Sequence, residues 1–127
     1  MTLAMKATSR QSLSAARNAL EKKLTSAEIA ATVARELLAM VVVFDSNISL
    51  SRALTDRSRN VADKSELIKR VFANSISEVT LSFANELIAL RWSSPSDLVS
   101  AIERLGIETD AAAAEKSNSL EIGRAHV

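Results

Sequence analysis

The chain has 127 residues, 47% of them hydrophobic, which is enough for one domain with a modest core and too apolar for a disordered chain. Two glycines, one proline and 3% aromatic residues leave little turn or strand material, which argues against a β-rich domain. Sixteen basic and fifteen acidic residues give a net charge of +1, which predicts no strong attraction to nucleic acid or an anionic membrane, and the lack of cysteine excludes disulfides and thiolate metal sites.

A first helix is predicted over Thr8 to Leu24, where Leu13, Ala16, Leu20 and Leu24 recur at spacings of three and four on one face. "TSAE" (25–28) then reads as a capping box, with Thr25 as cap and Glu28 reaching back. Ile29, Val33, Leu37, Met40 and Phe44 carry a second helical stripe that ends near Asp45. Valines 41–43 lower helix propensity, but the periodic run leading into them favours a helix over a strand. A short helix fits Ile48 to Leu54, and the polar "TDRSRN" (55–60) follows it as a loop.

Asn60 is placed to cap a helix over Val61 to Phe72, with Leu67, Ile68, Val71 and Phe72 in its adjacent turns. "SISE" (75–78) reads as another capping box, with Ser75 as cap and Glu78 three positions later. The next helix carries Val79, Phe83, Leu87 and Leu90, with Leu81 and Ile88 beside that stripe, and is predicted to end at Trp92. In "RWSSPSDL" (91–98), Ser94 caps the last long helix, Pro95 takes its first position and Asp97 faces the positive end of its dipole. Trp92, the only tryptophan, then folds back to bury its ring at the corner. Leu98, Val99, Ile102 and Leu105 line the last helix, and Gly106 predicts a kink or fraying there. "DAAAAEK" (110–116) is helix-prone without a large apolar side chain. The expected fold is all-α, an antiparallel bundle of five or six helices in one domain.

The longest apolar stretch, "LLAMVVVF" (37–44), is far short of the roughly 20 residues that span a bilayer. The first residues lack the apolar region of a signal peptide, so a soluble, cytoplasmic chain is expected. "IGRAHV" (122–127) breaks the preceding pattern and matches one reading frame of a common sequencing adapter. It is expected to be a non-native tail after a natural sequence that runs to about Glu121, which leaves His126, the sole histidine, without a role.

No phosphate loop, dinucleotide-binding glycine pattern, zinc-protease motif or nucleophile elbow is present. The acidic residues fall at caps and exposed helical positions, where solvation explains them more simply than a paired-carboxylate site. Catalytic, cofactor-binding and metal-binding residues are therefore assigned as none, and the chain reads as a non-enzyme. Arg52, Arg57 and Arg59 form a basic cluster, but Asp56 lies among them and no aromatic platform accompanies them, so a solvated loop is the simpler reading. What remains is a helical scaffold that acts through its surfaces. The small face of the first helix either packs in the core or leaves a groove for a partner helix.

"SRQSLSAARNAL", "RALTDRSR", "KSELIKRVF" and "RWSSPSDL" together give the chain a family likeness. Over roughly residues 8–121 it resembles the delta subunit of bacterial F-type ATP synthase, especially its actinobacterial form, the counterpart of the mitochondrial oligomycin-sensitivity-conferring protein. The resemblance implies a non-catalytic peripheral-stalk subunit that couples proton-driven rotation to ATP synthesis. It also implies a peripheral place on the cytoplasmic face of the cell membrane. Residues 1–121 would be the N-terminal bundle, which sits on the F1 head and holds the N-terminal helix of an alpha subunit. A C-terminal domain absent from this chain would engage the b subunit. The family's groove lies between its first and fifth helices, which here implies partner contacts at Leu13, Ala16, Leu20, Leu81, Ala84, Asn85 and Ile88, with core packing an equal competitor for each. The resemblance implies no nucleic acid, membrane insertion or cofactor. The alternatives are a generic adaptor for an amphipathic helix and, further off, a small DNA-binding regulator. The latter lacks a basic recognition face.

Overall fold

A computed structural model describes residues 5–125, with side chains described for 5–118. Residues 126 and 127, and with them His126, lie outside the described residues, as do the side chains of the expected tail. Six helices follow in order: α1 (Ala7–Glu21), α2 (Ala27–Ser46), α3 (Ile48–Thr55), α4 (Val61–Phe72), α5 (Glu78–Ala89) and α6 (Pro95–Ala125). No strand occurs among the described residues, and none of the helices described is long and apolar enough to cross a membrane.

The bundle is built on α2. Ala30, Val33, Ala34, Leu37, Met40, Val41 and Phe44 are all buried along it, a wide stripe at helical spacing. Burial outweighs the few tenths of a kcal/mol that each valine costs in a helix, so residues 41–43 stay helical and only Val42 points outward. The broadest interface in the molecule joins α2 to α6, where Leu98, Ala101, Ile102 and Leu105 are buried. Phe44 and Phe72 meet with centroids 5.7 Å apart and planes tilted by 56°, tying the end of α2 to α4 in a geometry aromatic pairs favour.

Gly106 sits within the continuous helix α6 and marks a close approach, so the predicted kink or fraying is corrected. A Cβ there would lie 2.8 Å from Leu38 Cδ2 and 3.4 Å from Leu37 Cβ, so the missing side chain lets α6 lie tightly on α2. Gly106→Ala is expected to change stability by less than about 1 kcal/mol, because the helix-propensity gain offsets displacement of the flexible end of Leu38. Gly106→Leu should push the helices apart and cost about 1–3 kcal/mol. Chemical denaturation of both variants separates the two cases.

Two predicted caps move. Ser26, not Thr25, caps α2, its hydroxyl accepting from the Ile29 N–H at 3.1 Å. Ser77, not Ser75, caps α5 and accepts from the Thr80 N–H at 3.4 Å. The second shift has a tertiary cause. Glu36 of α2 accepts from the Ser77 N–H at 2.8 Å, the Ser77 hydroxyl at 2.7 Å and the Thr80 hydroxyl at 2.6 Å. A carboxylate on another helix thus takes the part that a capping box gives to its own third residue. Asn60 caps α4 as predicted, accepting from the Asp63 N–H at 2.8 Å, and the Ser94 hydroxyl accepts from the Asp97 N–H at 3.2 Å at the start of α6.

The helix α5 ends at Ala89, three residues before the predicted end, because Leu90 turns extended. That break lets Trp92 fold back: its ring is buried and its indole N–H donates to the Leu87 carbonyl at 2.9 Å. The first helix is likewise shorter than predicted, ending at Glu21, while Leu24 still packs against the core from the loop beyond.

Candidate functional site

The seam between α1 and α5 begins with small side chains. Ala16 and Ala84 are each 1% exposed and let the two backbones approach closely, with Leu13, Leu20 and Ile88 filling the space around them. The helices run antiparallel. Near the start of α1, the Ser12 hydroxyl donates to the Arg91 carbonyl and the Ser9 hydroxyl accepts from the Ser93 N–H at 2.9 Å. Past its other end, the Lys23 ammonium lies 3.4 Å from both the Ser82 hydroxyl and a Glu86 carboxylate oxygen. Ser9 and Ser12 are buried, so these hydrogen bonds satisfy polar groups that would otherwise be costly inside the bundle.

The seven residues expected at a partner groove therefore divide. Leu13, Ala16, Leu20, Ala84 and Ile88 are buried in the hydrophobic core, whereas Leu81 and Asn85 are half-buried. Asn85 Oδ1 is enclosed without a hydrogen-bond partner among the described residues. The pinning residues Ser9, Ser12 and Lys23 were not singled out in the sequence. Two serines on the apolar face of α1, three positions apart, were the available signal.

On the flank of this seam, Arg17 of α1 grips Glu108 of α6 with two parallel hydrogen bonds, at 2.8 and 2.9 Å. The hydrogen bond to Glu108, more than charge attraction, pushes the guanidinium above its already high ordinary pKa. Beyond it, the Lys116 ammonium donates to the Leu24 carbonyl at 2.9 Å. These contacts hold α1 alongside α6 as well as against α5.

Elsewhere the surface opens into clefts, among them two of about 600 and 590 Å³. The first lies between the α2–α3 corner and the start of α6 and includes Phe44, Ile48, Arg52 and Val99. The second joins the loop before α4 to the end of α5 and includes Arg57, Arg59, Lys64 and Arg91. The basic cluster read as one unit is thus split, with Arg52 in one cleft and Arg57 and Arg59 in the other. Asp56 is occupied locally. Hydrogen bonds from the Ser58 hydroxyl and N–H, at 2.7 and 2.9 Å, hold its carboxyl below the usual range, with Arg59 and Lys64 adding to the effect.

Among the described residues, no group of three or more His, Cys, Asp or Glu side chains could hold a metal ion. The arrangement is that of a helical bundle whose usable chemistry lies on its seams and clefts. No family model matches the chain. It is, however, 33% identical over 118 residues to the ATP synthase subunit delta of Streptomyces griseus, covering 92% of this chain and 44% of that protein. Similar matches are found with the ATP synthase subunit delta of Arthrobacter sp. strain FB24, at 37% over 116 residues, and of Bifidobacterium adolescentis, at 35% over 116 residues. These cover 91% and 87% of this chain, respectively, and 42% of each relative. The chain spans less than half the length of the curated relatives it matches. By sequence it is similar to ATP synthase delta subunits of actinobacteria.

Proposed function

We propose that the chain is the N-terminal bundle of a peripheral-stalk delta subunit of F-type ATP synthase. Its work is mechanical: it seats on the F1 head, holds the N-terminal helix of an alpha subunit and resists rotor torque. The b subunit is engaged through the part of the family's length that this chain does not span. The protein acts at the cytoplasmic face of the membrane without inserting into it and is itself non-catalytic. The observation that carries this reading is the similarity to proteins named ATP synthase subunit delta along about nine-tenths of the chain. A rigid bundle with a small-residue antiparallel α1–α5 seam supports it, since a load-bearing part needs a closed core.

The partner contacts on this reading centre on the accessible members of the seam. Leu81 and Asn85 are half-buried and so present surface to a partner. A titration with a peptide from the N-terminus of the same synthase's alpha subunit, followed by Trp92 fluorescence and calorimetry, tests it. Saturable binding at micromolar or tighter concentration is expected, weakened several-fold by Leu81→Ala and Asn85→Ala with helix content unchanged. Absence of binding by the folded chain would remove the alpha-subunit contact from this bundle. Leu20→Ala and Ile88→Ala are poor probes, because both side chains are 2% exposed and their loss acts on the core.

A further inference from the structure

Beside the end of α5 lies the cleft of about 590 Å³ that the stalk reading leaves unused. One wall is the loop before α4 and its first turn, bringing Arg57, Arg59 and Lys64, and the other is the stretch that ends at Arg91 and Trp92. None of the four cations forms an ion pair among the described residues, where the ion pairs are Arg17 with Glu108 and Lys23 with Glu86. Lys64 is only 8% exposed and has no carboxylate within ion-pair distance among the described residues. Asp56, hydrogen-bonded by Ser58 and within the field of Arg59 and Lys64, does not line the cleft.

Apart from Thr55 and Asn60, the rest of the lining is apolar. Val61 is 47% exposed, Leu90 is half-buried, and Ile88 and Trp92 close the floor. From this pairing of a cationic rim that makes no close ion pair with a largely apolar floor, we infer that the cleft docks an acidic amphipathic segment of a protein partner, its carboxylates on the arginines and its apolar side chains on the floor. A free phosphate would leave the apolar floor unused. A nucleic-acid strand would need an aromatic face to stack on, and Trp92 is 3% exposed with its N–H committed to Leu87. The inference does not rest on the ATP synthase reading, and failure of the alpha-subunit peptide to bind leaves it standing.

Trp92 is the only tryptophan and reports on the cleft directly. The 127-residue chain would be titrated at low salt with a short synthetic peptide carrying glutamate and leucine at helical spacing. Parallel titrations would use its lysine-for-glutamate counterpart, inorganic phosphate and a short single-stranded DNA. The acidic peptide should bind saturably, shift Trp92 emission and weaken as salt rises, while the lysine peptide stays unbound. Arg57→Glu combined with Arg91→Glu should weaken it about tenfold or more. Both positions are exposed, so circular dichroism should show an unchanged fold. No saturable binding, or binding that the double variant retains, would overturn the assignment. Equal affinity for phosphate would make this a small-anion site, and equal affinity for DNA a nucleic-acid site. Either result would also overturn it.

Discussion

Trp92→Ala is expected to destabilise the protein by about 3–5 kcal/mol, the range for removing a large aromatic side chain from a packed interior. A small domain has only about 5–15 kcal/mol in total, so the variant should be partly unfolded near physiological temperature. The size of the effect follows from position. Trp92 is 3% exposed in the corner between α5 and α6, and the same corner is pinned to α1 through Arg91 and Ser93. Removing the ring therefore loosens three helices together. Trp92→Phe should cost far less, about 1 kcal/mol, because it keeps most of the apolar volume and loses one hydrogen bond. The Leu87 carbonyl that accepts this bond still receives the Leu90 N–H at 3.2 Å. Urea denaturation followed by far-ultraviolet circular dichroism measures both variants. A cost near 1 kcal/mol for the alanine variant would show that the corner is only loosely coupled to the bundle.

Much of this architecture was legible because helical periodicity and end signals agree. The helix Val61–Phe72 with its Asn60 cap, and the start of the last helix at Pro95, came out as read. Cap register was less legible where hydroxyls are adjacent or nearly so. "TS" and "SIS" each offer more than one serine or threonine, and the choice at Ser77 is made by Glu36, 41 residues away in sequence. Gly106 could be assigned a propensity cost from sequence, but only the packed structure shows Leu38 facing it.

The candidate site shows the same boundary. A stripe of Leu13, Ala16 and Leu20 is identical on paper whether it lines a groove or a core. What decides between them is whether another helix lies on it, and α5 covers these residues here. The basic cluster fails for the opposite reason. Neighbours in sequence were grouped, whereas folding sends Arg52 to another cleft and brings Lys64 and Arg91 to Arg57 and Arg59. Local pattern thus identifies faces, and long-range contacts assign them.

Glu36→Ala is expected to cost about 3 kcal/mol, although the residue is only half-buried and resembles an ordinary surface glutamate in sequence. Its carboxylate accepts three hydrogen bonds from the start of α5, and bonds to a charged group contribute about 1.5–3 kcal/mol, more than neutral ones. Truncation also leaves the Thr80 hydroxyl, on a residue that is 0% exposed, with only the Ser77 hydroxyl at 3.4 Å as a partner. Glu36→Gln provides the control. Its amide nitrogen can take the place of Oε1 and donate to the two hydroxyls, while its carbonyl still accepts the Ser77 N–H, so the loss should be about 1 kcal/mol. Denaturation curves give the two costs, and amide hydrogen exchange locates them. Faster exchange confined to the first turn of α5 would show a frayed cap, whereas faster exchange in α2 as well would show that the Glu36 link couples the helices. The second outcome is expected, because Glu36 is anchored in the middle of α2 and spans from its backbone to the start of α5. Equal stability of the alanine variant and the native chain would mean that water satisfies Ser77 and Thr80, and that the shifted cap has another cause.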